Sequence, residues 1–143
     1  MRQHQLLLLA ILPALLGGVV LEMFLGHRHD YSGHYAAGYG ATFASAMFLL
    51  RIIDPLEFQQ RATRLLVPFC FACIAGGAVA EATIFRIARF DEVDFFNQSI
   101  GAVLATICAS AYIGPEKCSD VEYDYGLIAG ITFLGIGGCL AVA

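Results

Sequence analysis

Residues 5–26 read Gln5-Leu-Leu-Leu-Leu-Ala-Ile-Leu-Pro13-Ala-Leu-Leu-Gly17-Gly18-Val-Val-Leu-Glu22-Met-Phe-Leu-Gly26. As an α-helix this run would be about 33 Å long, enough to cross a hydrocarbon core of about 30 Å. It is continuous rather than alternating, so a β-strand is disfavoured, and 143 residues are too few for a membrane barrel. The same template fits four more stretches: Tyr35–Ile53, Leu65–Ile87, Asn97–Gly114 and Gly126–Ala143. Composition agrees. Hydrophobic residues make up 59% of the chain and charged residues 14%, against about a quarter charged in an ordinary soluble domain. A soluble domain of this length lacks the interior to hide so much apolar surface. The expectation is a single all-α membrane domain, residues 1–143, built as a bundle of five helices.

The connections are short and hold most of the charge. Asp54-Pro55 and Gly114-Pro115 stop helices, and no connection is long enough to fold into a domain outside the bilayer. Arg2, Arg51, Arg61, Arg64 and Lys117 fall on the side of the N-terminus, while Arg28, Arg86 and Arg89 fall on the other. The positive-inside rule therefore places the N-terminus in the cytoplasm or the mitochondrial matrix. The first segment is longer than the apolar region of a secretion signal and is expected to be retained. A net charge of −4 leaves no clustered basic surface for nucleic acid.

Small residues recur at helical spacing. Ala37, Ala41 and Ser45 form one stripe, and Gly40 with Ala44 forms its neighbour. Gly101 and Ala105 repeat the pattern with Ala109, Gly76-Gly77 interrupts the third segment, and Gly126 and Gly130 open the fifth. Helices in lipid gain nothing from apolar burial against each other, so close backbone approach over such stripes drives their packing. Glu22 and Glu81 are carboxylates within apolar runs, where an ionisable group marks a functional or a paired structural position. Both lie near a helix end, and structural pairing, with Arg86 or a partner subunit, is the expected role.

His27, His29 and His34, with Asp30, form the most polar cluster. Imidazole and carboxylate suit zinc or copper, yet no cysteine accompanies them, and interfacial loop residues are the plainer expectation. Of the five cysteines, Cys70 and Cys73 have redox spacing but apolar surroundings, where a thiolate is disfavoured. Gly17-Gly18-Val-Val-Leu-Glu22 is echoed by Gly76-Gly77-Ala-Val-Ala-Glu81, which fits either a parallel helix repeat or chance similarity among small-residue helices.

The stretch Arg86-Ile-Ala-Arg89-Phe-Asp91-Glu-Val-Asp94-Phe-Phe-Asn97-Gln-Ser-Ile-Gly101-Ala102 resembles the signature of the mitochondrial inner-membrane translocase family. In that family basic residues precede an Asp-x-x-Asn pair, and small residues open the next helix. Arg86, Asp94, Asn97 and Gly101 stand at those positions. The resemblance covers residues 30–143 as a four-helix region, with residues 5–26 as an extra N-terminal helix. It is strongest toward the accessory-subunit branch, that of the alpha subcomplex subunit 11 of respiratory complex I. It implies a multi-pass, non-catalytic subunit of the mitochondrial inner membrane that supports assembly of a large respiratory-chain complex. Such a subunit has other membrane subunits and the lipid bilayer as partners, no cofactor of its own, and phospholipid as its bound ligand. Asp94 and Asn97 are expected to cap a helix beginning near Asn97. An import-translocase or small-transporter subunit, with Glu22 and Glu81 lining a passage, is the second reading.

Overall fold

The computed structural model describes residues 2–25, 29–52, 62–83, 91–113 and 118–141. They form five α-helices, and no strand occurs among them. We label them α1 (Arg2–Phe24), α2 (His29–Ile52), α3 (Ala62–Thr83), α4 (Glu92–Ser110) and α5 (Asp120–Ala141). The chain runs up and down, so the C-termini of α1, α3 and α5 share one end of the bundle with the N-termini of α2 and α4. It carries His29 and His34 and is the histidine end of the bundle.

Local chemistry sets the starts of the last two helices. Asp91 is the N-cap of α4: its backbone is extended, at φ −101° and ψ 117°, and its side chain accepts from Val93 N–H. Ahead of α5, Ser119 and Glu122 form a capping box. The Glu122 carboxylate accepts from Ser119 N–H at 2.6 Å, and Ser119 Oγ accepts from Glu122 N–H at 3.3 Å. The expected cap at Asp94 and Asn97 is thereby corrected. The helix starts about a turn earlier than the apolar run, because Asp91 supplies the cap, and Asp94 and Asn97 lie inside it.

Helix α2 is the axis of the fold. It packs against α5 along its length, antiparallel, and backbone meets backbone. A Cβ on Gly40 would collide with Gly130 O and Leu134 N, and one on Gly130 would come within 2.7 Å of Ala44 N. Toward the histidine end the same seam joins Gly33 to Leu140 and Ala141, and Gly137 to Ala36 and Ala37. Gly126 closes the other end against the Met47 side chain. On its next flank α2 runs parallel to α4, where Gly101 faces the Tyr35 carbonyl and Ala105 is fully buried. Tyr35, Tyr39, Phe43 and Met47, spaced by four along α2, fill the centre with no exposed surface.

Helix α1 is pinned to this centre by tyrosine hydroxyls. Pro13 carries no N–H, so the Leu9 carbonyl loses its donor within the helix. The Tyr39 hydroxyl approaches that carbonyl at 3.4 Å while donating to Ala10 O at 2.9 Å. Tyr35 donates to Pro13 O at 2.7 Å and Tyr112 to Leu6 O at 3.2 Å. Gly17 is what admits Tyr35, since a Cβ there would overlap its hydroxyl.

The exterior is apolar: Leu16, Phe24, Phe71, Val79 and Ile128 are all largely exposed. Three helices are long and apolar enough to cross a membrane, over His4–Phe24, Arg64–Thr83 and Asp120–Ala141. Helices α2 and α4 are not among them. In α2 the Gly, Ala, Ser and Tyr residues that make its contacts add little hydropathy, and α4 opens on the polar residues Glu92, Asp94, Asn97 and Gln98.

Candidate functional site

The residues from His29 to His34 were expected in a loop, but they form the first turns of α2. Helical geometry then separates the two histidines and gives each a different carboxylate. His29 Nδ1 lies 2.8 Å from Glu22 Oε1 of α1, and Ser32 Oγ donates to Glu22 Oε2 at 3.2 Å. His34 turns the other way, into a space shared by α2, α3 and α4. Its Nδ1 is 4.0 Å from Glu81 Oε2 and its Nε2 is 3.4 Å from Asp94 Oδ2. These three side chains are only 12%, 9% and 15% exposed.

The two intramembrane carboxylates thus both face α2, one on either flank. Structural pairing was expected for them, and histidines of α2 stand opposite both. Arg86, expected with a partner subunit as the pairing group, lies outside the described residues, as does His27. His29 and His34 do not converge. Among the described residues no group of three or more His, Cys, Asp or Glu is arranged to hold a metal ion.

The His34 cluster sits one turn beyond a layer of three residues, since Gly38, Gly77 and Gln98 each lie four positions from His34, Glu81 and Asp94. Gln98 is wedged there: a Cβ on Gly38 would strike its backbone, and one on Gly77 its side-chain amide. From this layer a cleft of about 350 Å³ extends between the helices. Ala41, Thr42 and Ser45 of α2 line one side, and Cys73 and Gly76 of α3 line the other. Gly76, expected on a packing face, therefore borders open space, and a Cβ there would meet nothing within 4 Å. The Ala37, Ala41, Ser45 stripe also borders this cleft.

Asp94 precedes the apolar segment, and burial raises its carboxyl above the ordinary value. His34 pulls in the opposite direction, while Asp91, Asp30 and Glu81 add to the rise. Asp94 Oδ1 and Asn97 Nδ2 are buried without a hydrogen-bond partner, and Asn97 is 2% exposed. A second hollow, an apolar groove of about 400 Å³, lies between α1, α2 and α5, with Glu22, His29 and Ser32 at its polar end.

The sequence reading missed Gln98 and the tyrosines. Gln98 was visible as the i+4 neighbour of Asp94. Tyr35 and Tyr39 share a face at the same spacing, opposite a helix opened by Pro13. No family model matches the chain, and no curated protein or solved structure does so. What the described residues define is an all-α bundle of five helices with an apolar exterior, three of them long and apolar enough to cross a membrane.

Proposed function

We propose that this chain is a non-catalytic membrane subunit that buttresses the helices of a larger complex. The observation that carries the reading is the contrast between inside and outside. The interior is closed by backbone contact along α2 and α5, whereas large apolar side chains cover the outside of α1, α3 and α5. A body of that kind offers rigid apolar faces to neighbouring helices and to lipid. The translocase-like stretch ending in Asp94, Asn97 and Gly101 points to the host: respiratory complex I of the mitochondrial inner membrane, with the chain multi-pass at its boundary. The groove beside α1 suits a phospholipid chain, its polar end at Glu22, His29 and Ser32.

Purification in mild detergent followed by identification of co-migrating subunits tests this reading. Co-migration with NADH:ubiquinone oxidoreductase is the expected result, and migration of the chain by itself would overturn it. The second reading, a translocase or transporter subunit, is favoured by one feature: the cleft that ends at Gly38, Gly77 and Gln98, one turn from His34, Glu81 and Asp94. Co-migration with import machinery would select it.

A further inference from the structure

A scaffold needs no ionisable group between its helices, yet three meet here, one each from α2, α3 and α4. Their geometry is particular. Glu81 and Asp94 approach opposite ring nitrogens of His34, at 4.0 Å and 3.4 Å, so the imidazole occupies the space between the two carboxylates. With His34 neutral the group would carry two negative charges in a largely buried place, which is costly near a membrane interior. The surroundings deepen the deficit. Asp30 of α2 and Asp91 of α4 add negative field at Asp94, and Glu81 is the one buried charge in the described part of α3. Among the described residues His34 is the sole basic group within ion-pair distance of Glu81 or Asp94. At this end of the bundle the described turns of α5 contribute no charge.

We propose that His34, Glu81 and Asp94 together bind one exchangeable proton, making the histidine end of the bundle a proton-binding site. The proton comes from water at that face of the bundle. It resides on the imidazole or on a carboxyl group, and no bond other than the one to hydrogen forms or breaks. The ring already separates the two carboxylates, and among the described residues no group of three or more His, Cys, Asp or Glu is arranged to hold a metal ion. The cluster also joins three helices at one point, so its occupancy couples α3 to α2 and α4. Occupation lowers the net negative charge and holds α3 in; loss of the proton sets Glu81 against Asp94. This inference does not depend on which complex hosts the chain.

The test is titration of the full chain in lipid nanodiscs, read by infrared absorption of protonated carboxyl groups and by nitrogen NMR of labelled histidine. In the unmodified protein, a carboxyl band persists to higher pH than free carboxylates allow, as the burial of Asp94 requires. Asp94→Asn removes that part of the band and changes the histidine nitrogen signals of the same sample, because the proton is shared with the ring. His34→Gln moves the carboxyl midpoint further up, because it removes the cation that holds Asp94 down. Glu92→Gln, an exposed change on the same turn, moves neither. If all carboxyl groups of the unmodified protein titrate in the ordinary range, the proposal fails, whatever the variants do. Equal midpoints in folded His34→Gln and unmodified protein would also overturn it.

Discussion

Gly40 and Ala41 are neighbours in the chain but belong to opposite regimes of packing. Gly40 faces α5, where the backbones touch and even a methyl group has no room. Ala41 faces the cleft toward α3, where small residues from both sides leave about 350 Å³ unfilled. The same composition, Gly, Ala and Ser at helical spacing, therefore does two different things on the two flanks of α2. On the α5 flank it permits contact. On the α3 flank it keeps space open beneath a charged cluster. A small-residue stripe thus indicates where a side chain is absent, and the neighbouring helix determines whether backbone or a void takes its place.

The sharpest way to break this comparison is to add the same bulk on both flanks. Gly40→Leu should cost about 3 kcal/mol or more, since the new side chain meets main-chain atoms that cannot turn aside. Ala41→Leu should cost less than about 1 kcal/mol, because its added atoms enter the cleft. Reversible unfolding in mixed micelles, followed by loss of helicity, would read both. Similar losses at the two positions would show that the cleft is filled or closed.

A smaller effect is expected where α1 meets the same axis. Tyr39→Phe deletes one hydroxyl, leaves the Leu9 carbonyl without its approaching donor, and removes the bond to Ala10 O. A buried hydrogen bond of this kind contributes about 1 kcal/mol. Hydrogen exchange at the α1 amides should accelerate while the α2 and α5 seam stays protected. Protection unchanged in α1 would mean that apolar contact alone holds that helix.

The smallest effect belongs to the end of the seam. Arg51 pairs with Asp124 between the C-terminus of α2 and the first turns of α5, and both side chains are nearly half exposed. Exposed ion pairs contribute little, so Arg51→Ala should change stability by about 0.5 kcal/mol or less. A loss comparable with that of Gly40→Leu would mean that charge, rather than glycine contact, sets the α2 and α5 register.

Much of the helix pattern was legible because long apolar runs with Pro-containing, charged connections have few alternatives. The five helices fall where the runs do, displaced by a few residues at their ends. The starts of α2 and α4 were the least legible. His29–His34 and Glu92–Phe96 are polar enough to look like loops, yet Asp91 caps the second, and their partners lie on other helices. Glu22 and Glu81 stood out as carboxylates in apolar surroundings, but the sequence suggested Arg86 or a partner subunit opposite them and gave no sign of the α2 histidines that stand there. Gly76 shows the limit in the other direction. It shares its composition signal with Gly40, and nothing in its neighbours along the chain distinguishes a contact from a void.

The sequence by itself determined that the chain is all-α, that it divides into five helical segments, and that its outside is apolar. Those properties follow from local composition, because hydropathy and helix caps act over a few consecutive residues. Tertiary structure alone decided that α2 is the axis and that α5 rather than α3 meets it backbone to backbone. It also decided that His29 and His34 part company, and that Glu81 and Asp94 stand on either side of one imidazole. Each of these depends on the rotation of one helix against another. A rotation of about 100° per residue sends neighbours such as Gly40 and Ala41 to different partners, and a linear pattern of small residues does not specify which partner each will meet.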